Sequence, residues 1–115
     1  MTIVRHNTGP RMSGAVVHGN TVSLAGQVAA DPSAGVKGQT EQVLRKIDGL
    51  LASAGSDKSK LLSATVYLSD IGTFDEMNAA WEAWVVPGHT PGRATVEAKL
   101  ASPKYLVEIV AIAAL

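Results

Sequence analysis

Two charged residues in the C-terminal third of the chain stand out by their type and surroundings. Glu108 is the only charge in the apolar run 106–112. A buried carboxylate is costly unless it is paired or hydrogen-bonded, and such a group suits general acid–base catalysis or the orientation of a water molecule. The alternative is a structural glutamate near a strand end or a subunit seam, satisfied by a lysine or arginine. The residues alone leave both interpretations open.

Arg93 is the second candidate. It follows the segment 87–92, which contains two prolines and two glycines and is therefore a stiff, sharply turning loop. An arginine held at the start of a strand presents a planar and permanently charged fork that matches a carboxylate. This placement predicts an anchor for a small acid. A surface arginine paired with Glu97 is the alternative, and such exposed pairs are common and weak.

Weaker candidates lie on the elements around these two residues. Helical spacing places Asn78 on the same side as Phe74 and Trp81, so we expect its amide to brace the wall of a site. Gly26 ends a strand, where a glycine lets backbone amides approach a ligand closely. The three histidines are scattered without the spacing of metal ligands, and we expect no metal site.

Composition limits the class of protein. The chain has 115 residues, of which 46% are hydrophobic and 17% charged, which is typical of one globular domain over residues 1–115. Ten basic residues balance ten acidic ones, without a basic block among aromatics, so we expect no nucleic-acid surface. There is no cysteine, which excludes disulfides and cysteine nucleophiles. The sequence shows neither a signal-peptide pattern nor a long apolar run, and we expect a cytoplasmic protein that does not cross a membrane.

Two helices are predicted from apolar periodicity. The first runs from about 39 to 54 with a one-sided apolar stripe, and Gly55 ends it. The second begins at the capping-box spacing of Thr73 and Glu76 and ends before Pro87.

Strands are predicted at 15–18, 21–26, 62–69, 93–100 and 106–113, after an extended lead-in over residues 1–10. Gly19 and Asn20 suit a two-residue hairpin turn. The order ββ-α-β-α-ββ predicts an α+β fold with one mixed sheet and both helices on one face. Because no third helix is available for the opposite face, we expect an oligomer to cover it.

The order of the motifs resembles the RidA/YjgF family over nearly the whole chain, from about residue 9 to the end. No single motif is diagnostic, but many occur in the right order. The matching segments are 9–10, 13–16, 24–28, 39–44, 54–55 and 65–68, followed by Phe74, Met77-Asn78, 91–97 and 107–109.

The resemblance implies a chorismate-mutase-like fold, assembled as a homotrimer with clefts between subunits. It also implies hydrolysis of reactive 2-enamine and 2-imino acids to 2-oxo acids and ammonia, without a metal or organic cofactor. By position, Arg93 would grip the carboxylate of the small substrate, and Glu108 would position water and assist proton transfer. Backbone amides near Gly26 and Thr95 would bind the substrate, and Asn78 would support the pocket.

Four positions depart from the family pattern. Arg11 stands where a tyrosine is common, Ala25 where a serine is common, and Thr95 where a cysteine is common. Gly92 stands where alanine or a similar small side chain is usual. None of these changes removes the carboxylate anchor, but Arg11 offers a second cation that would favour a larger or dianionic substrate. An Arg11→Tyr variant with unchanged selectivity between mono- and dicarboxylic substrates would count against that hypothesis.

Two other functions remain open from the sequence. One is a pathway-specific deaminase of the aminomuconate type. The other is a non-catalytic trimer that binds a small carboxylate and regulates partner proteins. Ribonuclease activity is also associated with the family that the chain resembles, but the balanced charge argues against strong RNA binding.

Overall fold

A six-stranded mixed sheet forms the frame of the molecule, and the computed structural model describes it over residues 1–115. In chain order the elements are β1 (Ile3–Thr8), β2 (Ser13–His18), β3 (Thr21–Leu24), α1 (Val36–Ala54), β4 (Leu61–Leu68), α2 (Phe74–Trp84), β5 (Gly92–Glu97) and β6 (Val107–Ala114), with short 3-10 turns at Lys58–Lys60 and Ile71–Thr73. The strands lie in the order β1-β2-β3-β6-β4-β5. Only β4 and β5 pair in parallel, and α2 is the crossover between them. The α+β prediction is confirmed, with β6 in a central position.

The N-terminal segment departs from the prediction. Residues 1–10 are predicted as an extended lead-in and not as a strand, whereas residues 3–8 form β1, which pairs antiparallel with β2 at the edge of the sheet. Most side chains of β1 are exposed on both faces. A strand without a buried face carries no alternating pattern, and this explains why periodicity does not reveal it. The element order is therefore βββ-α-β-α-ββ.

The hairpin between β2 and β3 confirms the predicted two-residue turn. His18 pairs with Thr21 across it. Gly19 has φ 61°, in the left-handed region that favours glycine, whereas Asn20 does not. The turn sets the register that continues into the site at the far end of β3.

Helix α1 ends as predicted and begins earlier than predicted. Gly55 follows Ala54 with φ 86° and closes the last turn with backbone hydrogen bonds. The first turn starts at Val36 rather than near Gln39, because Gly35 serves as the extended residue before the helix. The predicted helix is thus correct in place and short by about one turn.

The predicted capping box at the start of α2 is wrong. The helix does begin at Phe74, but the Thr73 hydroxyl donates to the carbonyl of Asp70 at 2.6 Å instead of accepting from the helix. The Asp70 carboxylate accepts from the Gly72 amide at 2.8 Å. A 3-10 turn runs directly into the helix, so Thr73 lacks the extended backbone that a capping side chain needs.

Both helices cover the same face of the sheet, and the hydrophobic core lies between them and the strands. The other face has no helix, as the element order predicted, and large apolar side chains on it such as Val96 and Ile112 are 42% and 36% exposed. We call it the open face. Strand register places on it Ser63, Thr65, Tyr67, Ala94, Val96, Glu108, Val110 and Ile112.

A buried glutamine ties the start of α1 to the approach of β6. The Gln39 amide nitrogen lies 3.1 Å from the carbonyls of Pro32 and Ala34 and 3.0 Å from that of Lys104. Its side-chain oxygen accepts from the Leu106 amide at 3.0 Å. Since β6 carries Glu108, this hub helps to fix where that carboxylate stands.

No helix is both long and apolar enough to span a bilayer.

Candidate functional site

The Arg93 side chain lies on the face of the sheet that the helices cover, across the middle of α2. Its guanidinium carbon is 5.1 Å from the centre of the Trp81 ring and 5.7 Å from the centre of the Phe74 ring. One guanidinium nitrogen is 3.8 Å from the sulfur of Met77. Phe74 and Trp81 are two helical turns apart on one side of α2, with Met77 between them. We call this the Arg93 slot, lined by Phe74, Met77 and Trp81.

The slot holds a cation that has lost part of its water. Burial lowers the pKa of the Arg93 guanidinium, and the nearby Glu82 carboxylate partly offsets this by raising it. The group stays charged at neutral pH, because arginine does not deprotonate in proteins. Its suggested surface partner, Glu97, lies about 13 Å further along β5 by strand rise, and accepts instead from the Ile71 amide at 3.1 Å. A desolvated arginine in this state is suited to bind a carboxylate.

Thr95 lies two residues after Arg93 on the same face and pairs in register with the buried Val66. Its hydroxyl oxygen is buried and has no hydrogen-bond partner, the only side chain of the chain in that state. A buried hydroxyl without a partner costs free energy. Because the oxygen is inaccessible, a contact with a ligand requires rotation of the Thr95 side chain.

Glu108 lies on the open face and is half-buried. A Cβ atom placed on Gly26 would stand only 2.3 Å from a carboxylate oxygen of Glu108, so the carboxylate lies directly over this glycine. Only glycine leaves room for that approach. Tyr67, which sequence reasoning did not single out, is the residue directly opposite Glu108 on β4.

The backbone at Gly26 is irregular. Between the pair Ser23–Ile112 and the pair Gln27–Ile109, the β3 side has three residues and β6 has two. The extra residue is a β-bulge, a feature that often lies next to functional sites. The amide of Gln27 is bonded to Ile109 at 2.9 Å, whereas the Gly26 amide makes no backbone hydrogen bond. A free donor thus stands beside the Glu108 carboxylate.

Arg93 and Glu108 lie on opposite faces of the sheet. Ala64, on the buried face, pairs in register with Arg93, whereas Tyr67 on the open face pairs with Glu108. Side chains alternate along a strand, so positions 64 and 67 of β4 point to opposite sides. One chain therefore holds two half-sites: an anchor half around Arg93 and a carboxylate half at Gly26 and Glu108.

The other predicted residues are placed less centrally. The helical spacing predicts Asn78 on the buried side of α2, whereas it is half-buried, and Phe74 on the same side is 39% exposed. Arg11 is exposed in the turn between β1 and β2. No three histidine, aspartate or glutamate side chains lie close enough together to hold a metal ion.

Sequence periodicity places the three slot residues on the apolar side of α2 and does not mark them as part of a site. Their spacing, with Phe74, Met77 and Trp81 at i, i+3 and i+7, indicates one helix face. The helix spacing does not indicate that β5, the strand after the crossover, places the Arg93 cation against this face of α2. A βαβ interpretation of residues 61–97 with Arg93 pointing towards α2 would have found it.

Comparisons with known proteins agree with one another along the whole chain. A family model described as Endoribonuclease L-PSP matches residues 4–115. The RutC family protein YoaB of Escherichia coli strain K12 is 47% identical over 114 residues, which is 99% of each chain. A RutC family protein of Haemophilus ducreyi is 44% identical over 113 residues, covering 98% of this chain and 97% of the relative. The crystal structure of NMB1025, a YjgF family member from Neisseria meningitidis, is 45% identical with a TM-score of 0.97, covering 99% of this chain and 95% of the other. Both half-sites lie within the matched regions.

Proposed function

The chain belongs to the RutC/YjgF family, whose family model is described as Endoribonuclease L-PSP, and on that basis we propose that it is a hydrolytic deaminase of 2-enamine and 2-imino acids. The products are a 2-oxo acid and ammonia. The observation that carries the proposal is the pair of half-sites: a desolvated arginine on one face of the sheet and a glycine-seated carboxylate on the other. Each half suits one part of this reaction.

Arg93 is the substrate anchor. Its position is held by ring faces and a sulfur atom and not by a carboxylate, so its fork remains available to an incoming acid. The carboxylate is the feature that all 2-imino acids share, and a bidentate arginine contact fixes both its place and its plane. The reacting C=N carbon is then only one bond away from the anchored group.

Glu108 handles water and protons. As a carboxylate it accepts a hydrogen bond from water and takes a proton as the water oxygen bonds to the C=N carbon, whose nitrogen is protonated. Glu108 then returns this proton to the amine nitrogen of the tetrahedral intermediate, and ammonia leaves as the C–N bond breaks. The hydroxyl proton passes to the Glu108 carboxylate as the C=O bond forms. For an enamine, protonation of the β-carbon precedes water attack and gives the same imine. The free Gly26 amide next to Glu108 donates to an oxygen of the bound species.

A site that uses both halves requires two copies of the chain. The open face beside Glu108 has no helix and exposes apolar side chains, so it is a surface that another copy would cover. The resemblance drawn from the sequence implies a homotrimer, in which each cleft combines Arg93 of one copy with Glu108 of the next.

A coupled assay tests the proposal. 2-Aminoacrylate is generated enzymatically, and release of pyruvate is followed with wild type, Arg93→Ala and Glu108→Gln. We expect the wild type to accelerate release, and each variant to lose about 100-fold or more. Wild-type protein that does not exceed the uncatalysed rate would refute the deaminase. A pathway-specific deaminase would not act on 2-aminoacrylate but would accelerate release of a 2-oxo acid from a different imine in the same kind of assay.

The second candidate function is a non-catalytic trimer that binds a small carboxylate. The completeness of the anchor half favours it, since Arg93 and its slot lie within one chain and need no Glu108. Binding of 2-oxobutanoate that depends on Arg93, together with no turnover in any wild-type assay, would select this function. Cleavage of single-stranded RNA is measured in a separate assay, because the family description names an endoribonuclease.

A further inference from the structure

We propose that Phe74 makes the Arg93 site selective for carboxylates joined to a flat, conjugated carbon over carboxylates joined to a tetrahedral carbon. The inference rests on the proposed function only in taking Arg93 as the carboxylate anchor. It does not require that the chain turn over any substrate. The classes compared are conjugated acids, which include 2-enamine and 2-imino acids, and saturated acids of the same size.

The slot is closed on two of its sides. Met77 is completely buried and Trp81 is only 6% exposed. Phe74 is 39% exposed, although its ring lies close to the Arg93 guanidinium. A ligand therefore reaches the guanidinium past Phe74, and the exposed part of that ring is the wall it meets.

The geometry of the anchor makes this wall sensitive to ligand shape. A carboxylate held by both prongs of the guanidinium lies in the plane of the guanidinium. When the next carbons are conjugated with the carboxylate, all heavy atoms stay in that plane and form an offset stack with the ring. A tetrahedral carbon directs its substituents out of the plane, either into the ring or away from it. Because phenylalanine has no polar atom, the discrimination comes from shape and stacking.

The test uses two acids that differ in one bond, trans-but-2-enoate and butanoate. Both have four carbons and both are fully ionised at neutral pH. Isothermal titration calorimetry measures their dissociation constants with the full-length protein. We expect but-2-enoate to bind roughly three- to tenfold more tightly, from the usual strength of one aromatic stacking contact.

Four variants separate the role of Phe74 from general effects. Phe74→Leu is expected to bring the two dissociation constants to about the same value, with both acids still bound. Phe74→Tyr keeps the ring face and is expected to keep the selectivity. Arg93→Ala is expected to lose both acids. Ile3→Ala, which removes a 46% exposed apolar side chain from β1 at the opposite edge of the sheet, is the matched control and should change neither constant.

Three results would overturn the inference: equal affinities in the wild type, selectivity that survives in Phe74→Leu, or no binding of either acid. The outcome is independent of the catalytic proposal. Selective binding of but-2-enoate without pyruvate release would remove the deaminase and leave the role of Phe74 intact. Pyruvate release together with equal affinities for but-2-enoate and butanoate would support the deaminase and refute the role of Phe74.

Discussion

Replacement of Gly26 by alanine tests whether the Glu108 carboxylate works from the position it has in the structure. The added Cβ would lie 2.3 Å from one carboxylate oxygen, 3.1 Å from the carboxylate carbon and 3.4 Å from Cγ. An ordinary contact begins at 3.4 Å, so the carboxylate must move by roughly 1 Å, the displacement that can cost an enzyme about 100-fold in rate. The backbone of Gly26 is outside the left-handed region, and alanine adds no backbone strain.

The effect on stability should be small by comparison. The clashing atoms are the far end of a flexible side chain, so the fold accommodates alanine by turning Glu108 aside, within about 1 kcal/mol of wild-type stability. The assay pairs the initial rate of pyruvate release from 2-aminoacrylate with urea unfolding of the same sample. We expect a loss of about 100-fold in kcat with an almost unchanged unfolding midpoint.

Gly92→Ala is the matched control. It adds the same methyl group next to Arg93, where the nearest atom is the carbonyl oxygen of Leu62 at 3.8 Å, an ordinary contact. We expect its rate to stay within about twofold of wild type. A Gly26→Ala protein that is as active as Gly92→Ala would refute the assignment of Glu108, in its observed position, as the group that handles water.

Three further predictions concern stability and one concerns selectivity. Thr95→Val removes the buried hydroxyl without a partner, and should raise the free energy of unfolding in urea by about 1 kcal/mol; a decrease would mean that the hydroxyl is satisfied in the assembled protein. Gln39→Leu breaks the buried hub and should lower the free energy of unfolding by about 2–4 kcal/mol, and a loss below about 1 kcal/mol would contradict its role. The Ser59 hydroxyl and amide lower the pKa of Asp57 below its usual 3.8, so this stabilisation is complete above that value and is lost as pH falls through the lowered pKa. The free energy of unfolding of wild type should therefore fall more steeply than that of Asp57→Asn below about pH 4. Parallel curves of unfolding free energy against pH for the two proteins would exclude a contribution from Asp57. Arg11→Tyr should lower the preference for dicarboxylic over monocarboxylic substrates in the coupled assay, and unchanged selectivity would remove Arg11 from the site.

The elements that sequence predicts well are those with a strong one-sided pattern. The end of α1 follows from the Gly55 stop signal, and the apolar run of β6 correctly predicts a central strand. β1 was missed because an edge strand with exposed side chains leaves no periodic trace. The start of α2 was placed correctly for the wrong reason, since Thr73 takes part in a 3-10 turn that short-range spacing does not distinguish from a cap.

The candidate residues can be named from the sequence, but their arrangement cannot. Arg93 and Glu108 stand out because each is out of place in its strand. Their separation onto opposite faces depends on the register of β4 with two different neighbours, which no local pattern reports. The close approach of Gly26 to Glu108 likewise depends on a bulge opposite β6. Contacts between distant parts of the chain are set by tertiary packing, and sequence periodicity has no access to them.

The βαβ crossover has a consequence for the order in which the site forms. The anchor half lies entirely within β4, α2 and β5, a contiguous stretch whose ends are close in sequence, so the loop that must close to build it is short. The carboxylate half joins Gly26 to Glu108, near opposite ends of the chain, and closes a much longer loop. Contacts between distant residues form more slowly than local ones. Pulse-labelled amide exchange during refolding should therefore protect β5 before β6, and the nascent chain completes the Arg93 slot before the Glu108 carboxylate takes its place over Gly26.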